Sequence, residues 1–168
     1  MIADRICSAN FECELAVLIV NESEFIIPSI SNYLPEWSEA RFVVLEPATR
    51  WAPAIGLEVA ECLKRSQNQG RRVRFESCRA TRDVLLLGEA ASTVGLILFI
   101  QGMERDCLGL LRRLPNLTNR PDVLVVCETQ HTALIPVILE SGVSSVLMDV
   151  KNDVPIAEWC HKVVCGRG

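Results

Sequence analysis

The most constraining feature of the sequence is a regular alternation of strand-like and helix-like segments that begins at about residue 41. The run Val94–Ile100 is apolar throughout, which is typical of a central strand covered on both faces. Shorter β-branched or apolar runs predict further strands at Arg41–Glu46, Pro121–Cys127 and Ser144–Asp149. Arg71–Ser77 alternates apolar and polar residues, as an edge strand or a half-covered strand does.

The segments between these runs have helical spacing. Ile55, Val59 and Leu63 fall on one helical face, and Gly70 is a candidate C-terminal stop. Pro136 inside a later helical pattern predicts either a kink or a later helix start. Further helices are predicted behind Thr81, over Asp106–Leu114, around Thr132–Ser141, where Gly142 follows, and after Asn152 and Asp153.

About five strand–helix units favour the α/β class: a doubly wound, five-stranded parallel sheet with helices on both faces. We assign residues 41–168 to this domain and residues 1–40 to an N-terminal extension. The extension is apolar but irregular and is broken by Pro28 and Pro35. It is interpreted either as an element packed on the domain, with an added strand at Glu14–Val20, or as a docking element.

Composition restricts the function classes. The formal net charge of −4 and the aromatic content of 5% argue against nucleic-acid binding, which needs a basic surface and stacking side chains. The eight cysteines lie mostly in apolar segments, and none forms a C-x-x-C pair, which indicates a reduced, cytoplasmic protein. No secretory signal or membrane-spanning run is recognised. A DNA-binding alternative would use the arginine cluster Arg71, Arg72, Arg74, Arg79 and Arg82.

Two stretches carry a resemblance to a known family. The sequence "DCLGLLRRL" (Asp106–Leu114) is similar to the helix start that follows the phosphorylation loop of receiver domains in bacterial two-component response regulators. The sequence "ESGVSSVLMDV" (Glu140–Val150) resembles the segment that ends in the family's fifth strand. The resemblance covers roughly residues 41–165 and implies a flavodoxin-like (βα)5 fold.

The resemblance also implies which residues stand at the phosphorylation pocket. Receivers bind Mg²⁺ with two acids after strand one and with a phosphoacceptor aspartate after strand three, and they contact the phosphoryl group with a Thr or Ser after strand four and a Lys after strand five. The corresponding residues of this chain are Glu46, Phe99, Cys127 and Asp149. A register slip would instead place Gln101 or Thr129 at two of these positions. The sequence therefore predicts a degenerate receiver that has no phosphoacceptor, metal or cofactor and no enzymatic activity.

Other site chemistries remain open at this level. A small flavodoxin-like enzyme or ligand-binding protein would use Cys127, His131, Glu46 and Asp149 at the strand ends. Glu46 and Asp149 could together bind Mg²⁺, although we favour carboxylates that are separately solvated or paired with Arg50 or Arg105. A zinc site would use Cys160, His161 and Cys165, with Cys7 and Cys13 as further ligands.

The resemblance finally implies where a partner binds. In receivers the fourth helix, fifth strand and last helix form the usual dimer or output surface. The corresponding segments are Thr132–Ser141, Ser145–Asp149 and Val154–Val164, together called the 132–164 face. A protein partner or a second copy of the chain is expected on this face or on the extension 1–40.

Overall fold

The computed structural model describes residues 39–66 and 72–166. Strands and helices alternate along these residues, and the five strands form one parallel sheet in the order β2-β1-β3-β4-β5. The predicted fold class is confirmed. The strands are β1 Ala40–Leu45, β2 Val73–Cys78, β3 Thr93–Phe99, β4 Asp122–Cys127 and β5 Ser145–Met148. The helices are α1 Trp51–Arg65, α2 Thr81–Gly88, α3 Glu104–Leu111, α4 Ile135–Glu140 and α5 Val154–Gly166.

The central strand β3 lies between β1 and β4, and its side chains reach a hydrophobic core on each face of the sheet. Leu96 and Leu98 belong to the core that α2, α3 and α4 cover, whereas Ile97 and Phe99 belong to the core under α1 and α5. Two covered faces explain why this strand is apolar throughout. The partial exposure of most residues of β2 agrees with its place at one edge of the sheet.

Gly95 has a packing role in β3. A Cβ atom at this position would lie 2.5 Å from the ring of Phe42, which stacks on Phe75 and meets Trp159 edge-on. The glycine therefore makes room for an aromatic cluster between β1, β2 and α5.

The helix boundaries differ from the predictions in two places. Helix α3 begins at Glu104 and ends at Leu111, earlier at both ends than the predicted 106–114. Helix α4 begins only at Ile135, with Pro136 in its first turn, and a 3-10 turn at Thr129–Leu134 precedes it. The later helix start is thus correct, because proline fits the first turn of a helix, where its missing N–H is not needed.

Several predictions lie outside the described residues: those for residues 1–38, which include the strand Glu14–Val20, and the stop at Gly70. Helix α4 does end before Gly142, whose φ of +79° is a conformation that favours glycine. Among the described helices, none has the length and apolar character needed to cross a membrane.

Candidate functional site

The four predicted pocket positions all lie at the carboxyl ends of strands. Phe99 and Cys127 are the last residues of β3 and β4, whereas Glu46 and Asp149 directly follow β1 and β5. The strand register brings these ends to one edge of the sheet, since Leu45 pairs with Leu98 and Cys127 pairs with Met148. Their interpretation as remnants of a phosphorylation pocket stays a prediction.

A cleft of about 420 Å³ opens at this edge. Its apolar side is formed by two aromatic residues, Trp51 and Phe99, together with Val126, Cys127 and Val150. Its polar rim consists of Gln101, Glu128, Thr129, Gln130, Asp149 and Lys151. The cleft therefore combines a larger apolar surface with a polar rim, and it carries both signs of charge.

Glu46 does not line this cleft, because it is fully buried. Its Oε2 accepts hydrogen bonds from the backbone N–H groups of Arg50 (3.0 Å) and Trp51 (2.7 Å), and its Oε1 accepts one from Ala52 (3.3 Å). Helix α1 has no capping side chain at Arg50, and the Glu46 carboxylate takes that role for the N–H groups at the start of the helix, of which the Arg50 N–H also donates to the Ala48 carbonyl (2.7 Å).

This corrects our expectation for Glu46. The carboxylate is neither solvated nor paired with the guanidinium of Arg50 or Arg105; its contacts are with backbone amides. Because the helix N-terminus already binds both of its oxygens, Glu46 is poorly placed to share a cation with the exposed Asp149.

Phe99 fills the end of β3 with an aromatic ring. The side chain is 7% exposed and stacks on Trp51, with ring centroids 5.0 Å apart and an interplanar angle of 21°. Since Trp51 is the first residue of α1, the pair joins β3 to the same helix start that Glu46 caps. The guanidinium carbon of Arg50 lies 5.3 Å from the centroid of the Trp51 ring.

Asp149 contacts a neighbouring strand end. Its Oδ1 accepts a hydrogen bond from the Thr129 backbone N–H (2.8 Å), and its Oδ2 accepts one from the Thr129 hydroxyl. These bonds, with the charge of Lys151 as a smaller contribution, lower the pKa of the carboxyl from its ordinary value. The φ of Asp149 is +50°, so the backbone adopts a left-handed conformation that is uncommon for a residue with a side chain.

Cys127 has the properties of a packing residue. Its thiol is buried, lies 3.2 Å from the sulfur of Met148, and approaches the Leu147 carbonyl at 3.8 Å. Burial, followed by the charge of Asp149, raises the pKa of this thiol. A catalytic nucleophile needs the opposite shift, because the thiolate is the reactive form.

His131 is not brought to the cleft, which corrects the alternative site that grouped it with Cys127, Glu46 and Asp149. The Nδ1 of His131 accepts a hydrogen bond from the Glu128 backbone N–H (3.3 Å), so Nε2 carries the proton toward Oε1 of Glu104 (3.1 Å). Both ring nitrogens therefore connect the start of the 3-10 turn to α3. Of the four residues of that alternative, Cys127 and Asp149 alone line the cleft.

The proposed zinc ligands do not assemble among residues 39–66 and 72–166, where no group of three or more His, Cys, Asp or Glu side chains could hold a metal ion. Cys160 is buried in the core, and His161 Nε2 lies 3.0 Å from the Ser66 hydroxyl and 3.4 Å from the Cys165 sulfur. Cys7 and Cys13 fall outside the described residues.

Sequence reasoning missed several cleft residues, among them Trp51 and Lys151. The position of Trp51 could have indicated this role, because it comes six residues after the end of the first strand and residues that closely follow a strand lie near the strand ends. Lys151 comes two positions after the residue that replaces the family's lysine, and the sequence gives no sign that it reaches the cleft.

Comparisons of the fold agree with this architecture. A response regulator from Colwellia psychrerythraea superposes with a TM-score of 0.54 at 13% identity, covering 77% of this chain and 98% of the other. A receiver domain from Bermanella marisrubri superposes with a TM-score of 0.54 at 19% identity, covering 75% of this chain and 98% of the other. The inactive form of the regulatory domain from the repressor of iron transport regulator superposes with a TM-score of 0.56 at 11% identity, covering 76% of this chain and 96% of the other. No family model matches the sequence, and no curated protein matches it significantly.

The chain has the fold of a receiver domain. The resemblance drawn from residues 106–114 and 140–150 is confirmed at this level. Identities of 11–19% carry the fold and leave the chemistry of the strand ends to be argued from the side chains.

Proposed function

We propose that the chain is a receiver-like signalling module that accepts no phosphoryl group and acts through contact with another protein chain. The observation that carries the proposal is Phe99, which stands at the end of β3 as a buried ring stacked on Trp51. A phenyl ring offers no oxygen to attack a phosphoryl donor and no hard ligand for Mg²⁺.

The two carboxylates at the strand ends support the same conclusion. Glu46 binds the N–H groups at the start of α1, and Asp149 binds the N–H and hydroxyl of Thr129. Donors that would attract an anion thus already bind the chain's own acids. A phosphoryl group carries about two negative charges, and Asp149 would repel it.

Burial of Phe99 also supports a fixed pocket. Removing a side chain of this size from water contributes about 1.5–3 kcal/mol, which favours the arrangement in which the ring is covered. A switch that lacks phosphate chemistry would then be governed by a binding partner.

The 132–164 face is our proposed contact surface. Helix α4 exposes Val137 and Leu139, at 45% and 52%, and Val154 at the start of α5 is 40% exposed. Large apolar side chains that are exposed on a protein surface are candidates for contact with a partner. The extension 1–40 is the second proposed surface, and the partner to be tested first is another copy of the chain.

Intact-mass spectrometry tests the chemical part of the proposal. The full chain is incubated with acetyl phosphate and Mg²⁺ beside an ordinary receiver domain as the positive control. We expect the control to gain a phosphoryl group and this protein to keep its mass. A stoichiometric adduct that hydroxylamine removes, as it does an acyl phosphate, would overturn the proposal.

Sedimentation velocity tests the proposed face. We expect concentration-dependent association that Leu139→Arg abolishes. The matched control is Leu86→Arg on α2, where an equally apolar side chain is 74% exposed on another surface. Association that Leu139→Arg leaves intact would exclude the 132–164 face.

A further inference from the structure

The cleft at the strand ends has the size and position of a ligand site. Its volume of about 420 Å³ lies within the range of roughly 300–1,000 Å³ that is usual for small-molecule pockets. It includes the ends of β3, β4 and β5 and the start of the helix that follows β1. In doubly wound sheets, ligands bind outside the carboxyl ends of the strands, where the strand order reverses, which here is between β1 and β3.

The apolar side of the cleft favours a ligand with a hydrocarbon or aromatic body. Trp51 and Phe99 form a stacked pair, and Val126 and Val150 extend the apolar surface. Aromatic rings also attract cations that lie within about 6 Å of the ring centroid. The Arg50 guanidinium, 5.3 Å from the Trp51 centroid, already makes such a contact.

The polar rim selects a positive charge over a negative one. The exposed Asp149 carboxylate accepts two hydrogen bonds from Thr129, whereas a carboxylate has about four acceptor positions, so it retains capacity for a further donor. This carboxyl is ionised at neutral pH even at its ordinary pKa of 3.8, and the hydrogen bonds from Thr129 lower that pKa further. Glu128 adds a second acid to the rim, and Lys151 adds one base.

An anionic ligand is disfavoured at the same cleft. The backbone N–H groups of Arg50, Trp51 and Ala52 are bound by Glu46, and the Thr129 N–H is bound by Asp149. An anion would have to displace these internal carboxylates and approach two acids on the rim.

From this geometry we infer that the cleft binds a small organic cation: an amine on a compact aromatic or aliphatic body, with its ammonium group at Asp149 and its body against Trp51 and Phe99. The inference rests on the proposed function, since the ligand takes the place that a phosphoryl group has in an ordinary receiver. It also connects the ligand to the 132–164 face, because Asp149 follows β5 and binds Thr129 at the start of the turn that leads into α4.

Three probes that share a phenylethyl body and differ in the charge of their end group test the charge selection: 2-phenylethylamine, 2-phenylethanol and 3-phenylpropanoate. Each is titrated to millimolar concentration into the ¹⁵N-labelled full chain, and the Trp51 indole and Thr129 amide resonances are followed. We expect saturable shifts that are largest for the amine, weaker for the alcohol and absent for the carboxylate.

Variants of the rim residues identify which side chain makes the cleft prefer the amine. Asp149→Asn should weaken amine binding about two- to fivefold, as expected for an exposed ion pair, and should leave binding of the alcohol unchanged. Lys151→Gln should strengthen amine binding by a similar factor, because it removes a like charge. Asp153→Asn is the matched control, since Asp153 belongs to the same loop but does not line the cleft.

Three results would overturn the inference: no saturable shift with the amine, equal or stronger binding of the carboxylate, or amine binding that Asp149→Asn does not weaken. These results are distinguishable from failure of the proposed function. A phosphoryl adduct in the acetyl phosphate experiment contradicts the proposed function, whereas failed amine binding without an adduct contradicts this inference alone.

Discussion

The strand-end edge has two halves that use the same chemical group in different ways. In the closed half, which consists of Glu46, Trp51 and Phe99, a fully buried carboxylate binds three backbone N–H groups beside a stacked aromatic pair. In the open half, which consists of Thr129, Asp149 and Lys151, an exposed carboxylate binds one neighbouring residue. Both acids follow parallel strands, so position alone does not decide their role. Burial makes the Glu46 carboxylate a structural group of the fold, whereas exposure leaves the Asp149 carboxylate available to a ligand.

The largest effect should come from the aromatic pair of the closed half. Phe99→Ala removes a buried ring and leaves a cavity against Trp51, which we expect to lower the free energy of unfolding by about 3–5 kcal/mol. Urea denaturation measures the loss, and Phe99→Leu, which keeps most of the hydrocarbon, should lose less. A loss below about 1 kcal/mol for Phe99→Ala would mean that the ring is not held in the core.

Glu46→Ala should have the next largest effect. It leaves N–H groups at the start of α1 without their acceptor, and a buried donor left unsatisfied costs about 1–3 kcal/mol. Glu46→Gln, which keeps one carbonyl acceptor, should fall between Glu46→Ala and the unmodified protein. The matched variant in the open half, Asp149→Ala, should shift the urea midpoint much less. Equal shifts for the two alanine variants would remove the distinction between the halves.

The smallest effect concerns the pKa of Asp149. This pKa is measured from the pH dependence of the carboxyl ¹³C resonance of Asp149. We expect a value below the ordinary 3.8 because Thr129 donates two hydrogen bonds to the ionised form. A carboxyl whose pKa is lowered by folding stabilises the protein when the pH is above the pKa of the unfolded state. This contribution is lost as the pH falls through the pKa of the folded state.

Thr129→Val should return the pKa of Asp149 toward its ordinary value, since it removes the hydroxyl donor. Thr132→Val is the control, because the Thr132 hydroxyl donates to the Thr129 carbonyl and not to Asp149. An unchanged pKa in Thr129→Val would show that the hydroxyl does not bind Asp149 in solution.

Hydrophobic pattern was enough to predict the sheet. The apolar run at residues 94–100 predicted a central strand, and the alternation around Val73 and Phe75 predicted an edge or half-covered strand; β2 lies at one edge of the sheet. These predictions succeeded because burial on two faces or on one leaves a direct trace in residue type. Pro136 indicated the late start of α4 for a similarly local reason.

The contacts of the site were less predictable because they depend on which elements the fold brings next to one another. Glu46 gave no sign that it caps α1, since its partners are backbone amides, which any residue carries. His131 follows Cys127 closely in sequence, yet its ring is directed to Glu104 on another element. Proximity in sequence suggested a nucleophile–base pair that the tertiary contacts do not form.

The most direct test of the central claim is a titration of the full chain with beryllofluoride and Mg²⁺, which together imitate a bound phosphoryl group. The amide resonances of Phe99, Thr129 and Asp149 report on the strand ends, and an ordinary receiver domain serves as the positive control. Because a buried ring and two engaged carboxylates stand where the metal and anion would bind, we predict no saturable shift at these residues. Saturable, Mg²⁺-dependent shifts at Phe99 and Thr129 would contradict the account.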